Sequence, residues 1–202
     1  MALATYNDLL SQTANWLHRG DLTANIPDFI TLAESKINKA LRVRQMETTM
    51  ATVIASGVIP VPANYIEMKD AYISSGSPYI PLTRKSAEFI YDRYPYRVAD
   101  KQPAYIAREG KNFIFGPFPD SNYTVTVVYY NRLQALAGAL NTVYTNYPGL
   151  WLFGALAESA PFIKDDKRVE LWQAKFKELL EAVQDESNDE YFSGDVPQIT
   201  AV

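Results

Sequence analysis

At 202 residues, with 48% hydrophobic and 21% charged side chains, the chain is long enough for one sizeable domain or two small ones and apolar enough for a packed core. The absence of cysteine excludes disulfides, thiolate metal sites and a cysteine nucleophile, and a single histidine, His18, excludes multi-histidine metal centres. A net charge of −4 argues against a tight or sequence-reading nucleic-acid binder, which needs a basic footprint.

The first predicted helix runs from Thr5 to Arg19, with Tyr6, Leu9, Leu10, Thr13 and Leu17 on one face. Thr5 and Asp8 are spaced as a capping box, and Gly20 is the expected stop. A second, longer helix is predicted over Asn25–Glu47. Its stripe of Ile26, Ile30, Ala33, Ile37 and Ala40 is widened by Phe29 and Leu41. Asn25 suits an N-cap and Pro27 the first turn, while Asp28, Ser35, Lys36, Lys39 and Arg42 make the opposite face polar. The two helices should form a hairpin whose apolar stripes meet.

After Gln45 the helical period vanishes, and Thr, Val, Ile and Tyr alternate with Pro and Gly. Met50–Pro62 reads as strand, Ser56-Gly57 turn and strand. Tyr65–Ile73 reads as a strand that turns at Ser74–Ser77 into a short strand, Tyr79–Leu82. Thr83–Tyr94 is a predicted short helix ended by Pro95, and Pro103–Arg108 with Asn112–Gly116 forms a hairpin around Gly110. Tyr123–Tyr130 alternates like a strand buried on one side and covered or paired on the other.

Residues 133–141 read as a linker. Pro148 then opens an almost wholly apolar helix that Pro161 should kink or end. Asp165 or Asp166 caps a last helix, in which Val169, Trp172, Phe176, Leu179 and Val183 repeat at three and four. From Asp185 onward there are five acids, no Lys or Arg, and the breakers Gly194 and Pro197, so a flexible acidic tail is expected. The expected fold is α+β: a helical bundle from the N- and C-terminal helices with an inserted small mixed β domain. Its parts are a helical hairpin (1–45), the β-rich domain (46–132), a C-terminal helical pair packing on 1–45 (133–184), and the tail (185–202).

Nothing along the chain has the specificity of a catalytic, cofactor or metal motif. His18 at a helix end reads as a solvated histidine favoured by the helix dipole. Asp165-Asp166 and Asp189-Glu190 read as a cap and as solvation. Gly110 and Gly116 open no helix and make no phosphate loop. Glu47 and Glu67 are the one carboxylate pair to weigh for hydrolysis, with a separation that sequence leaves open. Arg42, Arg44, Arg84, Lys85, Arg93 and Arg97 interleave with Tyr91, Tyr94 and Tyr96, which suits a polar β-domain surface or a protein interface better than nucleic acid in a negatively charged chain.

The N-terminal letters carry a resemblance. Trp16-Leu17-His18-Arg19, Asp21-Leu22, Ile26-Pro27, Phe29-Ile30, Leu32-Ala33-Glu34 and Leu41–Glu47 follow the pattern of head-to-tail adaptor (connector) proteins of tailed bacteriophages. PANYIEMKDAYI, IFGPFPD, NYPGLWLFGALAESAPFIKDDKR and the Trp172–Phe176 region resemble that family in the same order. The resemblance implies a structural virion protein and not an enzyme: a homo-oligomeric ring, usually dodecameric, between the portal protein and a tail or nozzle protein. Such a ring passes DNA without sequence-specific binding, needs no cofactor or membrane, and sits at the head-tail junction after synthesis in the host cytoplasm. The implied subunit or portal contacts are Arg42 and Arg44 at the basic end of the second helix, and Tyr191, Phe192 and Ile199 in the tail. The rival expectations are a virion-associated cell-wall glycan hydrolase using Glu47 or Glu67, and a head-completion protein that contacts DNA.

Overall fold

The computed structural model describes residues 3–54, 56–163 and 167–192, with residues 191 and 192 described by backbone alone. Its elements in chain order are α1 (Tyr6–Leu17), α2 (Ile26–Ala40), β1 (Glu47–Ile54), β2 (Val58–Pro60), β3 (Tyr65–Ile73), β4 (Ile80–Pro81), β5 (Thr83–Arg84), α3 (Ala87–Arg93), β6 (Tyr105–Glu109), β7 (Asn112–Gly116), β8 (Tyr123–Asn131), α4 (Thr142–Asn146), α5 (Pro148–Glu158) and α6 (Arg168–Phe192). Short 3-10 turns occupy Gly20–Asn25, Arg44–Met46 and Ala160–Phe162. The fold is mixed α+β, and the chain divides into two compact units: Met1–Gln45 with Leu133–Val202, and Met46–Arg132.

The helical unit is built around α5, which buries Leu150, Trp151, Leu152, Ala155, Leu156 and Ala157 nearly all round, as its composition predicted. Gly154 lies where neighbouring helices come closest: a Cβ there would sit 2.9 Å from Ala33 Cβ on α2 and 3.0 Å from the Phe176 ring on α6. The capping box of α1 forms as predicted, with the Asp8 N–H donating to Thr5 Oγ1 and the Thr5 N–H to the Asp8 carboxylate. The stop of α1 is His18 in the left-handed region (φ 52°), not Gly20, which opens the following 3-10 turn.

Both ends of α2 differ from expectation. Asn25 is already helical in backbone and makes no cap hydrogen bond, because the 3-10 turn runs straight into α2. At its other end α2 stops at Ala40 instead of Glu47. Leu41 and Val43 are buried while Arg42 is half-buried and Arg44 exposed, a period of two that an extended strand supplies and a helix does not. The last helix also outruns its predicted end: α6 continues through Phe192, so residues 185–192 are helical and not an extended tail. Buried Ser187 carries the Trp172, Phe176 and Val183 seam about one turn further than the apolar letters do. The expected caps Asp165 and Asp166 lie outside the described residues, as does the tail from 193 on. An unanticipated short helix, α4, follows Asn141, whose side-chain oxygen accepts the Tyr144 N–H at 2.8 Å.

The β-rich unit stacks two four-stranded sheets, ordered β1-β8-β3-β4 and β2-β7-β6-β5, over one core. Ile54, Met68, Ile73, Val125 and Val127 from the first sheet pack with Ile59, Ile106, Phe113 and Phe115 from the second. On the outer side of the second sheet, Ile90 of α3 packs against Ala107 and Ile114. The predicted β6–β7 hairpin forms around Gly110 (φ 57°), and β8 is central, paired antiparallel with β1 and β3. The predicted hairpin of β1 and β2 does not form, since β1 pairs with β8 while β2 crosses to β7 in the other sheet. Gly57 makes that corner possible. Its φ of 65° is left-handed, and a Cβ would meet the Phe118 ring at 2.6 Å. The predicted helix at Thr83 starts later, because Thr83–Arg84 pairs parallel with β6 and Ser86 caps α3 by accepting the Phe89 N–H.

Candidate subunit-contact site

Arg42 and Arg44 stand on a five-residue strap, 41–45, that leaves the end of α2 and lies along the C-terminal part of α6. The Gln184 side chain holds the Arg42 backbone from both sides. The Arg42 N–H donates to Gln184 Oε1 at 2.9 Å, and Gln184 Nε2 donates to the Arg42 carbonyl at 3.2 Å. The Arg44 N–H donates to Ser187 Oγ at 3.1 Å, and the Arg44 guanidinium lies 3.6 Å from the Glu190 carboxylate. Segments far apart in sequence therefore meet, and two implied contact residues lie beside the helix end that carries two others. Tyr191 and Phe192 belong to the last turn of α6, with their side chains outside the description, and Ile199 lies outside the described residues altogether.

The two arginines are not equivalent. Arg42 Nη1 donates to the carbonyls of Asn38 (3.3 Å), Lys39 (3.4 Å) and Leu41 (2.6 Å), so its charge closes the C-terminal end of α2, where a cation opposes the negative pole. Arg44 is over half exposed in its side chain (57%), so it is the better placed of the two to meet another surface. Sequence reasoning missed Gln184, Ser187 and Glu190 here. Their one signal is a polar side chain at a seam position, Ser187, four residues after Val183.

Where the chain returns from β8, α2 holds it in the same manner. The Leu133 N–H donates to Asn38 Oδ1 at 2.7 Å, and the Leu136 N–H to Glu34 Oε1 at 2.8 Å. Burial raises the Glu34 carboxyl above its usual range, and the Leu136 hydrogen bond pulls weakly the other way. The folded chain thus holds this proton more tightly than the unfolded one. Its favourable contribution is complete below the unfolded pKa and is lost as pH rises through the raised value. Glu34→Gln keeps the acceptor and removes the charge. It should raise the melting temperature at pH 7 and flatten the fall in stability expected of wild type as pH rises through the raised Glu34 value; thermal melts followed by circular dichroism from acid to neutral pH check it.

The residues weighed for other chemistry are engaged locally. Glu47 Oε1 accepts from Lys69 Nζ at 2.6 Å and is held in that ion pair. Glu47 and Glu67 face the same Tyr130 from opposite neighbouring strands. In the basic-aromatic stretch, Arg84 donates to the Met68 carbonyl at 2.6 Å, and Arg97 donates to the carbonyls of Phe115 (2.7 Å) and Gly57 (3.3 Å). Two of its cations therefore bind the unit's own backbone. No group of three or more His, Asp or Glu side chains that could hold a metal occurs among the described residues, and no helix there is long and apolar enough to cross a membrane.

Exposed apolar side chains form a further surface on the helical unit. Trp16 and His18 face Leu171 and Trp172 of α6 across an open groove of about 410 Å³. Trp16 is 43% exposed and Leu171 58%, more than core packing allows.

The family model for the SU10 adaptor protein matches residues 4–198, and the chain belongs to that family of phage head-to-tail adaptors. It is accordingly a component of the phage virion, and its family is one of structural proteins. A comparison with curated proteins gives no match.

Proposed function

We propose that the protein is a subunit of a ring, dodecameric in the usual pattern of such adaptors, seated between the portal and the tail or nozzle and continuing the DNA channel. The observation that carries this reading is the family match over residues 4–198, which takes in the helical and the β-rich unit alike. In this arrangement the chain ends form one helical bundle with the β-rich unit as an insertion. The bundle meets neighbouring subunits and the portal, and the β-rich unit faces the tail. Identical subunits associate head-to-tail, a heterologous contact that closes by rotation. Arg44 and the end of α6 with Tyr191 and Phe192 are the proposed contact, Ile199 adds to it, and Arg42 supports it from beneath. A net charge of −4 suits a channel that must release DNA.

The test is assembly. Purified protein mixed with portal rings should co-sediment as a particle of defined stoichiometry, and Arg44→Ala should reduce assembly at least tenfold while leaving the melting temperature within about 2 °C, because its ion pair with Glu190 is exposed and contributes little to stability. Truncation after Phe192 should weaken portal binding and spare the fold. Full assembly by both variants overturns the assignment of contacts, and absence of any wild-type particle with portal overturns the ring.

A further inference from the structure

Both crossings of the chain between its two units are held by side chains of the helical unit that bond to main-chain N–H groups. Strap 41–45 is held by Gln184 and Ser187, and the returning segment by Asn38 and Glu34. The two differ in what stands behind them. Asn38 and Glu34 lie within α2, whose stripe of Phe29, Ile30, Ala33 and Ile37 is fully buried. Gln184 and Ser187 lie in the last turns of α6, beyond Val183, where apolar burial has run out and Ser187 is the one buried side chain among residues 184–190.

That end of α6 is locally disfavoured. Asp185, Glu186, Asp189 and Glu190 crowd the helix C-terminus, and its last turn has no base. Acids there oppose the negative pole of the macrodipole. Compensating groups come from the strap, as backbone N–H groups at residues 42 and 44 and the Arg44 guanidinium beside Glu190, and from Tyr147, whose side chain is hydrogen-bonded to Glu186. Conversely, the strap's two bound N–H groups have left the hydrogen-bonding pattern of α2 and find their acceptors on α6. Each segment supplies what the other lacks.

We propose that the end of α6 from Gln184 to Phe192 is a clasp: its helical order and the fixing of strap 41–45 form one coupled equilibrium. A partner surface that binds or melts this helix end therefore shifts the strap that leads into the β-rich unit. The device stands independently of the ring reading, and its test needs no portal.

Hydrogen exchange by mass spectrometry on the full chain decides it, with peptides covering 41–45, 133–136, 150–156 and 185–192. In a Gln184→Ala/Ser187→Ala variant, exchange should speed up at least tenfold in both 41–45 and 185–192 and stay unchanged in 133–136 and 150–156. Acceleration of 185–192 alone overturns the coupling, and acceleration of all four peptides overturns a local device. Asp189→Lys provides the reciprocal arm without touching the strap's acceptors, because a cation at that exposed position suits the helix pole. It should slow exchange in both 185–192 and 41–45. Slowing confined to the helix peptide overturns the proposal.

Discussion

Gly154→Val is expected to destabilise the helical unit by about 3 kcal/mol or more, the upper end of the range for forcing extra methyl groups into a packed core. The added Cβ would stand 2.9 Å from Ala33 Cβ, an atom fixed to the backbone of α2 that cannot rotate away, and 3.0 Å from the ring of Phe176. Phe176 is itself buried and has little room to yield. Relief requires α2 or α6 to move off α5, which opens gaps along a helix whose side chains are buried nearly all round. Gly154→Ala separates close approach from backbone freedom. Alanine gains about 1 kcal/mol of helix propensity over glycine, yet it places the same Cβ, so it should still lower stability. Denaturant unfolding followed by tryptophan fluorescence suits this unit, which holds Trp16, Trp151 and Trp172, all of the protein's tryptophans. An alanine variant as stable as wild type or more so would mean that the helices can separate without loss.

Arg97→Ala should have the largest effect in the β-rich unit, about 2–3 kcal/mol, a figure built from charged hydrogen bonds and cation–π contacts. The guanidinium bridges the carbonyls of Phe115 and Gly57, and its carbon lies 5.1 Å from the Phe118 ring centroid and 5.8 Å from that of Tyr91. It ties the stretch after α3 to β7 and to the corner at Gly57, where the chain passes from one sheet to the other. Arg97→Lys should recover under half of the loss, since an ammonium lacks the planar fork that reaches two carbonyls and stacks on rings. Hydrogen exchange in 94–118, with the melting temperature, measures both variants. Equal protection in the lysine variant and wild type would show that charge alone suffices.

Features set by neighbours in sequence were legible in sequence. The Thr5–Asp8 capping box, the all-round burial of α5, the β6–β7 hairpin at Gly110 and the alternation of β8 each depend on residues within one element or one turn. The family likewise showed in an ordered string of motifs, because it rests on residue letters and not on geometry.

Other features had to wait for partners brought from afar. Arg42 looks like the basic end of a long helix, but its backbone N–H bonds to Gln184, 142 positions away, and its side chain closes a helix that has already ended. The acids after Asp185 read as a solvated tail because a local window contains neither the strap nor Arg44 to hold them in a helix. The Ser56-Gly57 pair marks a turn in sequence, but whether the strands beside it pair with each other depends on β7 and β8, which come more than fifty residues later and take one strand each. The sequence by itself determined the type of the longer, strongly periodic segments, which faces are apolar and which family the chain resembles, since propensity and periodicity are local. The tertiary structure decided where α2 and α6 end, which strands pair, and which of the two arginines is the more exposed, since those outcomes follow from hydrogen bonds and packing between segments that only folding brings together.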